Sequence, residues 1–164
     1  MNQNNLIEAQ PGNMLFLNSR RLFQINDTLS AFYKEQIEQI GTAKIIILVD
    51  KTDHRLPNPD NKLLLQNMRK ALETKVATTA MIEIDNENPL LWRQLKTMVE
   101  SKNFILFGIN FSDIGIQANN FKNNIIPFDG SCFLLTNALS EFHGNAELKN
   151  KVWKKMRNLT EVKV

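Results

Sequence analysis

The chain has 164 residues, 43% of them hydrophobic and 23% charged, with a formal net charge of +3 and a pI near 9.0. That is the size and balance of one globular domain, so one core is expected rather than two, and the basic excess is too small to predict nucleic-acid binding by itself. The single cysteine, Cys132, excludes an internal disulfide, and the polar start MNQNNLIEAQ carries no secretory apolar region. Together these point to a reducing cytoplasm. No apolar run approaches the ~18 residues of a membrane span, so no membrane insertion is expected.

Residues 1–12 are polar and punctuated by Pro11-Gly12, which reads as a leader. Two short apolar clusters follow on either side of Arg20 and Arg21, and over so few residues periodicity does not decide between strand and helix. Residues 1–26 are taken as a leader and candidate docking segment, with Leu15, Phe16, Leu22 and Phe23 either binding a partner or covering the domain's own core. A single α/β domain is expected over 27–164. Asp27-Thr28 offers an N-cap, and Leu29, Phe32, Tyr33, Ile37 and Ile40 recur at helical spacing until Gly41.

The stretch AKIIILVD, residues 43–50, is four large aliphatics and a valine between polar residues, the pattern of a strand buried on both faces. The turn-rich segment DKTDHRLPNPDN and a helical pattern from Asn61 to Leu72 follow it, the first half of a βαβ unit. Thr78 to Asp85 reads as a second strand, and Asn88-Pro89 opens a helix with Leu91, Leu95, Met98 and Val99 on one side. On that helix Trp92 and Lys96 are surface neighbours at i and i+4. Asn103 to Phe111 is a third strand, in which Gly108 marks a bulge or a close backbone approach. Asn124 to Leu135, with a turn at Pro127 to Gly130, suits a short strand or a hairpin leading into a final strand. A short turn spans Ala138 to Phe142, and a basic helix closes the chain with Leu148, Val152, Met156 and Leu159 in register. The expected architecture is a three-layer α/β/α fold with a mostly parallel central sheet of about four strands, containing Ile45 to Val49, Ala80 to Ile84 and Ile105 to Ile109.

Several chemistries lack their motifs. The first crossover has neither GxGxxG nor GxxxxGK[ST], a GxSxG elbow is missing, and one Cys with two distant His residues does not make a zinc site. No cofactor and no metal is expected. Cys132 lies among apolar neighbours and reads as a buried, inert thiol. Asp50, Asp53, His54 and Arg55 stand at the end of the central strand, where open α/β sheets bind ligands, and could act as acid and base. A turn of Asp, His, Pro and Asn is equally what a chain uses to leave a strand and cap a helix near Asp60, and no catalytic residue is assigned. His143 before Gly144 reads as a helix C-cap partner. Lys151, Lys154 and Lys155 are the candidate phosphate-contacting residues of the final helix, whose lysines otherwise form a solvated face that complements the macrodipole.

Two stretches taken in order, KIIILVD with its loop and NKLLLQNMRKAL, then FLLTNALSEFHGNAELKNKVWKKMRNL, resemble the psi subunit of DNA polymerase III, in particular its bacteroidete type. The resemblance covers about Ala43 to Leu159 and implies a fold similar to that of uracil-DNA glycosylases. Glycosylases of that fold carry a carboxylate or amide motif after the first strand and usually a histidine motif after the last. Here the second position reads LLTNALSEF, without histidine, and Asp50, Asp53 and His54 do not reproduce the first motif. The resemblance thus implies a glycosylase-like scaffold without its chemistry: a non-catalytic accessory subunit whose partners are clamp-loader subunits and a chi-like protein. The competing expectations are a nucleic-acid or nucleotide hydrolase using the Asp50 to Arg55 loop, and an unrelated α/β interaction module.

Overall fold

A computed structural model describes residues 16–18, 21–23, 29–52 and 59–162. Two short strands near the N-terminus, β1 (Phe16–Asn18) and β2 (Arg21–Phe23), pair antiparallel in a sheet of their own, with Phe16 opposite Phe23 and Leu17 opposite Leu22. Within the stretch that periodicity left open between strand and helix, residues 16–18 and 21–23 are thus extended. Leu15, Arg20 and the proposed caps Asp27 and Thr28 lie outside the described residues.

The body follows in the order α1 (Ala31–Glu38), β3 (Ile45–Asp50), α2 (Pro59–Lys75), β4 (Thr79–Ile84), α3 (Trp92–Met98), β5 (Asn103–Phe107), β6 (Asn124–Phe128), β7 (Ser131–Thr136) and α4 (Ala146–Asn158). Five strands form one sheet in the order β4-β3-β5-β7-β6. β3, β4, β5 and β7 are parallel and β6 runs antiparallel to β7. The expected sheet of about four strands is therefore these four parallel strands with an antiparallel edge strand added. β6 tolerates Pro127 because an edge strand can spare an outward N–H.

The pleat divides the core in two. Ile46, Leu48, Phe104, Leu106, Phe133 and Leu135 face α1 and α3, which add Tyr33, Trp92 and Leu95. Ile45, Ile47, Val49, Ile105, Phe107 and Leu134 face α2 and α4, which add Leu65, Leu72, Val152 and Met156. Burial on both faces is why β3, β5 and β7 are continuous apolar runs. The result is a three-layer α/β/α arrangement. Cys132 is fully buried in the second half-core, and desolvation pushes its thiol pKa up.

Local chemistry fixes the ends of the elements. Pro59 opens α2, a position where its missing N–H and fixed φ cost nothing. Ser30, not Asp27 or Thr28, caps α1, its hydroxyl accepting from the Phe32 N–H at 3.3 Å. α3 begins at Trp92 rather than just after Pro89, and its inward residues are Trp92 and Leu95, whereas Met98 is exposed. Val99 has already left the helix for an extended conformation (φ −126, ψ 141). The third strand ends at Phe107 rather than Phe111, because Gly108 turns the chain with φ +68. A Cβ at Gly108 would stand 3.1 Å from both Cα and Cβ of Ala138, so this glycine serves a close backbone approach between the ends of β5 and β7. Gly108→Ala is expected to lower stability by roughly 1–2 kcal/mol from its left-handed conformation alone. An unchanged urea midpoint would contradict that reading.

Candidate functional site

The path β3 to β4 moves one way across the sheet and β4 to β5 crosses back over β3, so the strand order reverses between β3 and β5. Open α/β sheets bind ligands at the carboxyl ends of strands beside such a reversal. Asp50, Lys51 and Thr52 stand there on one side, and Gly108 on the other. Of the sequence-derived candidates, Asp53, His54 and Arg55 lie outside the described residues.

Asp50 turns its carboxylate back on its own chain. Oδ1 accepts from the Thr52 N–H at 2.7 Å and also from the Thr52 hydroxyl, a turn-capping arrangement. Lys51 instead reaches across to the next strand end, where Nζ meets Asp85 Oδ2 at 2.7 Å and sits 5.2 Å above the Phe32 ring. Asp85 is the hub of this corner. Its Oδ1 accepts from the Glu87 N–H at 3.1 Å, and Oδ2 also accepts from Asn88 Nδ2 at 3.4 Å. The hydrogen bond from Lys51, then that from Glu87, holds the Asp85 carboxyl below its ordinary pKa. Beneath it the buried Tyr33 hydroxyl accepts from the Asp85 N–H at 2.9 Å and donates to the Asn88 carbonyl. Desolvation raises the phenol pKa.

The carboxyl ends of β5 and β7 form a second polar cluster. The Thr136 hydroxyl lies 3.1 Å from the Leu106 carbonyl and 3.0 Å from that of Asn137. Asn137 Nδ2 donates to Glu141 Oε2 at 2.6 Å, and Glu141 Oε1 accepts from the Ala138 N–H at 3.2 Å. The bond from Asn137 is the main reason the Glu141 carboxyl is held below its usual pKa. His143 ends the 3-10 turn Leu139–Phe142, its N–H donating to the Ser140 carbonyl at 3.4 Å, as expected of a C-cap partner. Its side chain bonds the buried Asn61 in the first turn of α2, Nε2 to Oδ1 at 2.5 Å.

These clusters have one feature in common. Asp50 and Glu141 each accept hydrogen bonds from their own turns, and Asp85 joins its turn to Lys51 and to α1. Such bonds orient a chain; general acid or base work needs an oxygen presented to a bound molecule. Among the described residues, no group of three or more His, Cys, Asp or Glu side chains could hold a metal ion. Nor is any helix there long and apolar enough to cross a membrane.

Elsewhere, Trp92 and Lys96 of α3 both reach Asp129 Oδ2, at 2.9 Å from Nε1 and 2.6 Å from Nζ, although Trp92 is buried and only Lys96 is on the helix surface as expected. Asp129 is the first residue of the Asp-Gly turn between β6 and β7, with φ 49 followed by Gly130 at φ 72. The candidate phosphate contacts Lys151 and Lys154 are exposed on α4 and Lys155 is half-buried.

Sequence reasoning did not find the Lys51–Asp85–Tyr33 corner. Tyr33 and Asp85 are 52 positions apart, so no local spacing announces them. The signal available was an Asp at the very end of the second strand, followed by the turn residues Asn-Glu-Asn. Comparison of the chain with protein-family models, with curated proteins and with solved structures gives no match.

Proposed function

We propose that this chain is a non-catalytic accessory subunit of a replicative DNA polymerase III holoenzyme, working in the cytoplasm and bridging the clamp loader to a chi-like partner. The observation that carries the non-catalytic part is the commitment of Asp50, Asp85 and Glu141 to turns and to Lys51 at the carboxyl edge of the sheet. The replication assignment rests on the resemblance of Ala43 to Leu159 to the psi subunit. A uracil-DNA glycosylase-like scaffold is supported by the parallel strands and by helices on both faces. The docking arm in this reading is the N-terminal segment with Leu15, Phe16, Leu22 and Phe23.

Immobilised full-length chain, presented with purified clamp-loader subunits, is expected to retain them. In this reading, deleting residues 1–25 abolishes that capture and leaves the melting temperature in place; a melting temperature lowered by many degrees would show instead that the segment belongs to the fold. The triple replacement of Asp50, Asp53 and His54 by alanine keeps capture and costs about 1 kcal/mol of stability per lost cap. Failure to retain any clamp-loader subunit overturns the assignment. Uracil excision or phosphoester cleavage by the wild type, lost in the triple variant, would show a hydrolase instead.

A further inference from the structure

We infer that the helical layer formed by α2 and α4 is a second functional surface, one that binds the phosphate backbone of a nucleic acid independently of sequence. This stands whether or not the clamp-loader reading does. α4 carries Lys149, Lys151, Lys154, Lys155 and Arg157 against one acidic residue, Glu147, an excess of four. α2 carries four basic residues against Asp60 and Glu73, an excess of two. The layer therefore holds six positive charges in excess, while the whole chain holds +3, so everything outside these two helices is net negative by three. On the opposite face of the sheet, α1 and α3 carry three basic residues against two acidic ones. One layer of the sandwich is strongly basic and the other nearly neutral, a segregation that the mild overall pI conceals.

Ordinary helix electrostatics accounts for only part of this. Lys155 and Arg157 lie in the last turn, where cations complement the macrodipole. Lys149, Lys151 and Lys154 lie further up. Glu147 and Lys151 have the i, i+4 spacing that favours an ion pair, yet none of the five basic residues of α4 is ion-paired among the described residues. Lys151 and Lys155 repel each other at the same spacing. Such a strip gains from a polyanion what the chain itself does not supply.

The geometry favours a phosphate backbone over an anionic membrane. Buried Val152 and Met156 lock one side of α4 against the sheet, which leaves Lys151, Lys154 and Arg157 exposed on the other. From Lys151 to Arg157 the helix axis advances about 9 Å, the length of two to three phosphates along one strand at about 3.4 Å each. A membrane-surface helix would put apolar side chains toward the lipid, whereas the apolar side of α4 faces the core.

Anisotropy of a labelled duplex of about 30 base pairs, titrated with the full chain between about 50 and 200 mM salt, tests this. The expected dissociation constant is on the order of 10⁻⁵ M, with a slope of log K against log salt of about −4 for four to five phosphates. The combined Lys151→Gln, Lys154→Gln, Arg157→Gln variant flattens the slope by about 0.9 per residue and weakens binding roughly tenfold or more. Lys34→Gln, Arg93→Gln, Lys96→Gln together remove the same charge from exposed positions of α1 and α3, on the opposite face of the sheet, and shift binding by no more than about twofold. Circular dichroism melting of both variants shows whether the fold is kept. Absence of salt-dependent binding, or equal loss in the two triple variants, overturns the proposal. So does retention by phosphatidylserine vesicles that matches the duplex and is lost in the α4 variant, since that would make the surface a lipid-facing one.

Discussion

Phe133→Ala is expected to destabilise the protein by about 3–5 kcal/mol, the range for removing a buried phenyl ring from a well-packed core. Phe133 sits in the middle of β7 on the face covered by α3, and four aromatic side chains close around it. Its ring is stacked on Phe104 with centroids 5.1 Å apart and a 19° interplanar angle. Trp92 meets it edge-on at 4.9 Å and Phe111 at 5.3 Å, with Phe128 at 6.4 Å. Truncation therefore loses several edge and stacking contacts besides the transferred area, each worth about 0.5–1.5 kcal/mol. Trp92 is pinned by its hydrogen bond to Asp129 and cannot readily swing into the void. Urea unfolding followed by tryptophan fluorescence measures the loss. A change below about 1.5 kcal/mol would mean that the surrounding rings collapse into the space.

What the sequence made legible follows from how many neighbours each element needs. β3 and β7 are buried on both faces, so composition alone marks them. β4 lies at the edge of the sheet, and there the alternation of Ala80, Ile82 and Ile84 with half-buried Met81 and Glu83 is the signal. Glu83, which interrupts the apolar run, has its outward N–H bonded by Gln36 Oε1 at 2.8 Å, so the interruption is where α1 covers the sheet edge. The turn was legible from its residue types but too long as read: Pro127 and Phe128 belong to β6, and only Asp129 and Gly130, whose pair allows two successive positive φ angles, make the hairpin turn. α3 was misphased because its seven residues are too few for a 3.6 period to fix which side faces in. Reading Val99 as helical pulled Met98 inward and left Trp92 outside. The polar corner at Asp85 was invisible for a different reason. It joins Tyr33, Lys51 and Asp85 from three elements, and only the sheet order brings them together.

Tyr33→Phe tests how much of the fold hangs on that corner. The hydroxyl is buried at the junction of α1 and the end of β4, where it satisfies the Asp85 N–H and the Asn88 carbonyl together. Phenylalanine keeps the ring and its edge-on contact with Phe32 at 4.9 Å, so little packing is lost. Two backbone groups lose their partner instead, and the expected cost is about 1–3 kcal/mol. The pH dependence separates this from a packing effect. Desolvation raises the Tyr33 pKa above its ordinary value, so the neutral phenol is favoured in the folded state. The corresponding stability is fully present below the unfolded value and is lost as pH rises through the folded one. Wild type should therefore lose stability above about pH 10 through this group, and Tyr33→Phe should lack that component. Asp85 acts at the other end of the scale. Its lowered pKa contributes stability that is present above the unfolded carboxyl value and disappears as pH falls through the folded one. Because Tyr33 is the sole tyrosine of the chain, phenolate absorbance reports its titration directly. An onset at the ordinary value in the folded protein would show that the hydroxyl is not held as described.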